Sequence, residues 1–153
     1  MLREMVIDFV LFSGIEGFIF CLFFEKVGEY RKFKWYEWLI LSIGNCLISQ
    51  LLPPLLYQFV CIIWICSFLH ISNNLNILNG LKLSFKSVIF FLIFEMVFAM
   101  IYEYIIKIDL FQYNDFMRFL AMLPIRFLQI AFIYIFSHIK DWRKSKWRFG
   151  LVA

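Results

Sequence analysis

The stretch Glu37 to His70, EWLILSIGNCLISQLLPPLLYQFVCIIWICSFLH in one-letter code, decides the fold. After Glu37 and before His70 it holds no ionisable side chain beyond the weak acids Tyr and Cys. It is far longer than the roughly 20 apolar residues one helix needs to cross a bilayer. Pro53-Pro54 stands at its middle. Two adjacent prolines remove two N–H donors and oppose helix continuation, so the stretch reads as two short helices joined by a tight hairpin.

Working outward, Met5–Phe24 forms an apolar span ahead of the charged run from Glu25 to Lys34. Further spans follow at Ser87–Ile106 and Phe116–His138. Between them, Ile71–Lys86 carries Asn73, Asn74, Asn76, Asn79 and Gly80, and reads as a polar loop or short surface helix. The expected fold is therefore an all-α integral membrane bundle of about five transmembrane helices. The spans are about 5–24, 37–52, 55–70, 87–106 and 116–138, within one bundle over 1–138. Residues 139–153 form a basic tail.

Composition agrees. The 153 residues are 63% hydrophobic and 22% aromatic, and mean hydropathy is +0.82. A soluble domain of this size would have to expose much of that surface to water. The 21 phenylalanines beside scarce alanine fit an AT-rich genome.

Charge sets the orientation. With five spans, Lys26, Arg31, Lys32, Lys34, Lys82, Lys86, Lys140, Arg143, Lys144, Lys146 and Arg148 share one side. Arg3, Lys107 and Arg118 fall on the other. Such an excess marks the cytoplasmic face. The N-terminus is expected outside and the C-terminus in the cytoplasm of a plasma-membrane protein. Reading residues 37–70 as one kinked span would place the basic tail opposite the basic first loop, which disfavours four spans. The first span holds Asp8 and Glu16 and no A-x-A cleavage pattern, so it is expected to be a permanent helix. The tail's mixture of Trp142, Trp147 and basic residues suits anionic lipid rather than nucleic acid.

Three ionisable residues fall near mid-span: Glu16, Glu95 and Arg126. Facing lipid, each would cost about 2.5–3.5 kcal/mol, so each is expected to face protein or water. Arginine's planar fork can hold one carboxylate and touch a second. Gln129, one turn after Arg126, shares its helical face. The small residues Ser13, Gly14 and Gly17 around Glu16 permit close backbone approach. Pro124 is expected to free a backbone carbonyl and bend the last helix. Such a cluster has three readings: a polar glue fixing helix order, a ligand-sensing switch, or an ion path. Asn45, Gln50 and Gln58 flank the hairpin, as lining of an outward-facing cavity or as partners in bonds between helices. Tyr102, Glu103, Tyr104, Asp109, Tyr113 and Asp115 form an acidic, aromatic outer rim, with Glu103 a further candidate ligand-binding residue.

The chain has no phosphate-binding glycine loop, dinucleotide fingerprint, zinc-protease motif or nucleophile elbow. Cys21, Cys46, Cys61 and Cys66 form no C-x-x-C pair and read as small apolar residues. His70 and His138 stand at span ends, placed for the interface rather than for a metal. No catalysis, metal or cofactor is expected.

Three short motifs carry a resemblance. They are Ile15-Glu16-Gly17-Phe18-Ile19-Phe20, Phe85-Lys86-Ser87 leading to Glu95, and Leu123-Pro124-Ile125-Arg126 with Gln129. Together they resemble the membrane sensor domains of Agr-type peptide quorum-sensing histidine kinases in bacteria, or their stand-alone kinase-less relatives. The resemblance implies peptide sensing or regulation of a partner, with Glu16, Glu95 and Arg126 at the matched positions. Those domains usually have more spans, and no kinase follows here. The expected role is a non-catalytic module for peptide or partner recognition and signalling. Its expected partners are membrane lipids, an extracellular peptide, and a membrane or cytoplasmic protein, with no nucleic acid. The alternative is a small transporter subunit that binds substrate within the bundle.

Overall fold

The structure, a computed structural model, describes residues 6–7, 9–28, 30–106 and 115–150. Arg3, Asp8, Lys107, Asp109 and Tyr113 lie outside the described residues, as do the side chains of Asp115, Arg118 and residues 143–150. Among the described residues there is no strand. Five α-helices make the fold: α1 (Gly14–Lys26), α2 (Trp35–Leu51), α3 (Pro54–Asn73), α4 (Ile77–Met100) and α5 (Asp115–Gly150). A π-helical turn, Phe9–Ser13, precedes α1, and a second, Ile101–Ile106, extends α4.

Among the described residues, three stretches are long and apolar enough to cross a membrane: Leu56–Asn73, Ile77–Tyr104 and Phe119–Trp142. With 13 and 17 residues, α1 and α2 are shorter. Large apolar side chains such as Phe59, Ile63, Ile93 and Phe127 face outward from mid-helix. An outer surface of that kind fits a membrane bundle.

The prolines act as the sequence predicts. Leu52 and Pro53 are extended, and Pro54 opens α3, where its missing N–H costs nothing. The helices then zip antiparallel. Cys61 Sγ donates to Asn45 Oδ1 (3.7 Å), Trp64 Nε1 to the Leu41 carbonyl (3.4 Å), and Arg31 Nη2 to the Ser72 carbonyl (2.8 Å). Gly44 makes room for the Trp64 indole, which a Cβ at 44 would meet at 2.2 Å.

Of the polar loop or short surface helix expected at Ile71–Lys86, three residues are loop and the rest belongs to two long helices. Helix α3 continues to Asn73, three residues turn the chain, and α4 begins at Ile77. Asn74 takes the left-handed conformation (φ 51°), and His70 Nδ1 lies 2.5 Å from the Leu75 carbonyl. Gly80 then lets α4 press against Cys66, whose Sγ is 3.2 Å from where a Cβ would sit. Asn73, Asn74 and Asn76 thus stand at the end of α3, in the turn and at the N-cap position of α4, while Asn79 lies within α4. Likewise, α5 runs through His138 without a break, so the expected tail continues that helix to Gly150.

Side-chain register gives the helix directions. Between α1 and α5, Glu16 meets Arg126, Lys26 lies over Tyr134 (5.3 Å) and the Val27 carbonyl accepts from Lys140 (2.8 Å). Both numbers rise together, so these helices are parallel. Between α1 and α4, Phe20 stacks on Phe91 (4.1 Å) and Phe23 meets Phe90 at a tilt (5.3 Å), an antiparallel register. Glu95 with Arg126 and Tyr102 with Ala121 make α4 and α5 antiparallel. Helices α1, α3 and α5 therefore run one way, and α2 and α4 the other. The core lies between them, built on Ile19, Phe24, Leu41, Ile65, Leu69 and Ile133.

A polar site among three helices

Each charged residue reaches the site by ordinary helix geometry. On α5 the buried side chains Ile125, Arg126, Gln129 and Ile133 form one stripe at helical spacing. On α1, Glu16 lies in the first turn, where Gly17 presses against α2. A Cβ at Gly17 would stand 2.0 Å from Ser42 Oγ, and the neighbouring Gly14 carbonyl accepts from Trp38 Nε1 (2.7 Å). Glu95 arrives from α4.

One guanidinium joins them. Arg126 Nη2 donates to Glu16 Oε1 and, at 3.2 Å, to Glu95 Oε1. Its Nη1 donates to Gln129 Oε1 at 3.0 Å, and its Cζ lies 5.7 Å from the Phe91 ring centre. The side chain of Arg126 is 6% exposed, against 19% for Glu16 and 35% for Glu95. Of the three ionisable groups the guanidinium is thus the most buried. Gln129 is fully buried, and its Nε2 has no partner among the described residues.

Glu16 and Glu95 share the one guanidinium. Beside them is a cavity of about 50 Å³. Its floor is the buried Phe20, Cys61, Val88 and Phe91, and Glu16 and Glu95 stand in its wall. Tyr57, Gln58 and Leu92 complete a part-exposed rim.

The structure thus brings Glu16, Glu95, Arg126 and Gln129 together. Glu103 does not join them: it is exposed on the π-turn after α4, about 12 Å along the helix from Glu95. Of the hairpin amides, Gln58 reaches the cavity and Asn45 is buried behind Cys61, while Gln50 is exposed. Sequence reasoning missed Tyr57, Phe20 and Phe91. Their signal was spacing alone: Phe20 follows Glu16 by four residues, and Phe91 precedes Glu95 by four. All four cysteines are buried and free, and no metal-ligating group occurs among the described residues.

A second ion pair closes one end of the bundle. Arg31 Nη1 donates to Glu37 Oε2 (3.0 Å), and Nη2 donates to Glu37 Oε1 and to the Ser72 carbonyl. Glu37 also accepts the Lys34 backbone N–H (2.8 Å), supporting the start of α2. Its hydrogen bonds raise the pKa of the Arg31 guanidinium above the ordinary value. No protein-family model, curated protein or solved structure matches the chain.

Proposed function

We propose that this chain is a non-catalytic module of the cell membrane that recognises a peptide or partner segment outside and signals to a partner inside. Five spans carry it, with the N-terminus outside and the basic C-terminus in the cytoplasm. The alternating helix directions support an odd number of crossings, and the excess of Lys and Arg at one end supports the orientation. The short motifs around Glu16, Glu95 and Arg126, which resemble those of peptide sensor domains, favour a peptide as the outside partner.

One observation carries the reading: a single guanidinium holds α1, α4 and α5 together through Glu16 and Glu95, beside a cavity that touches both carboxylates. A ligand that engages either carboxylate changes what Arg126 gains from its present packing. Differential binding to two packings is what a switch requires.

The test places single cysteines at Lys32 and Ser145 and follows their reaction with thiol reagents. Both sites should label from the cytoplasmic side only, and a co-purified partner segment should change their rates. Labelling of Ser145→Cys from outside intact cells would sink the topology. The cavity favours a second reading, a transporter subunit that holds substrate in the bundle. Should a bound small molecule leave both cytoplasmic rates unchanged, that reading takes over.

A further inference from the structure

We infer that the cavity between α1, α3 and α4 is a receptor for a primary ammonium group at the end of a slender chain, such as a lysine side chain or an alkylamine. The inference rests on the recognition reading above and names the chemistry of what is recognised.

Size comes first. A cavity of about 50 Å³ has space for about four waters, too little for a folded segment or a ring system but enough for an ammonium and its adjoining methylenes. Charge is the second argument. Arg126 gives Glu16 and Glu95 one hydrogen bond each, both from Nη2 and both to Oε1. Among the described residues, neither Oε2 has a donor. A cation entering beside both carboxyl groups would meet oxygens that Arg126 does not engage and would compete with Arg126 for Glu16 and Glu95. The walls supply the third argument. Phe20 and Phe91, stacked on each other at 4.1 Å, form the floor and Tyr57 stands on the rim, so the methylenes beside the ammonium meet apolar and aromatic surface. An ammonium brings three donors to a cavity whose lining includes Glu16, Glu95 and Gln58. A quaternary ammonium brings none.

The full chain in lipid nanodiscs is titrated with ethylammonium, tetramethylammonium and ethanol, and its thermal unfolding is followed. Ethylammonium should raise the midpoint with saturation, tetramethylammonium should do so far less, and ethanol not at all. Glu95→Gln should weaken ethylammonium about tenfold. Cys61→Met keeps both carboxylates, adds two heavy atoms at the cavity floor, and should abolish binding even if Glu95→Gln does not fold. Equal effects of ethanol and ethylammonium would overturn the inference, as would undiminished binding by Cys61→Met. A protein stabilised by lower pH yet indifferent to ethylammonium would also overturn it, since protonation alone then satisfies the carboxyl groups. Failure here leaves the cysteine-accessibility test of signalling standing, and failure of that test leaves amine binding measurable.

Discussion

Arg31 and Arg126 both bind glutamates, yet they do different work. Around Arg31 nearly every group has a counterpart: both oxygens of Glu37, the Ser72 carbonyl, and the Lys34 N–H on the same carboxylate. The result ties the α1–α2 loop, the start of α2 and the end of α3 into one clasp, with the Arg31 side chain 43% exposed. Around Arg126 the environment is drier and the count is unequal: one guanidinium, two carboxyl groups, and a buried amide with an unused donor. A saturated pair near water serves structure. An unsaturated group deep among helices keeps the capacity to rearrange.

Removing the deep cation should have the largest effect. Arg126→Met strands two carboxylates and should cost about 3–5 kcal/mol of stability, less if water reaches them. Unfolding in mild detergent measures it. Double-mutant cycles with Glu16→Gln and Glu95→Gln should show coupling, smaller for Glu95, whose bond is 3.2 Å and whose side chain is the more exposed. Additive losses in both cycles would erase the distinction between the two arginines. Gly17→Ala sharpens it from another direction. It forces Ser42 away, should cost about 1–3 kcal/mol, and should reduce the Arg126–Glu16 coupling because α1 delivers Glu16. Unchanged coupling would mean that Glu16 reaches its partner without that close approach. At the clasp, Glu37→Gln should cost about 1 kcal/mol, part ion pair and part support of the α2 N-terminus. Raising salt from 0.05 to 0.5 M (about a threefold shorter screening length) should shrink this loss, while that of Arg126→Met changes little. Equal salt sensitivity would place both pairs in similar surroundings.

Much of this was legible in the residues. Charges at mid-span must find partners, so Glu16, Glu95 and Arg126 could be grouped before any coordinates. Pro53-Pro54 likewise announced its turn, because missing N–H donors act locally. The start of α4 was illegible for the opposite reason. Asn73, Asn74 and Asn76 do mark the turn, but Asn79 and Gly80 also favour a loop locally, and the fit of Gly80 against Cys66 comes from another helix. The cavity was hidden too, since Phe20, Tyr57 and Phe91 come from three helices whose register no single segment states. The role of Glu37 was lost because its partner Arg31 stands in the loop before α2 and is itself fixed by the Ser72 carbonyl at the end of α3.

The unbroken length of α5 has a mechanical consequence. Its 36 residues make a rod of about 54 Å, well beyond the roughly 30 Å of a bilayer's hydrocarbon. Arg126 sits about 36 Å from the Gly150 end, just past Pro124, where the backbone lacks one internal bond. With that point as fulcrum, each degree of tilt sweeps Gly150 sideways by about 0.6 Å. A displacement too slight to notice beside Glu16 is thus geared up into ångströms at the far tip of the lever.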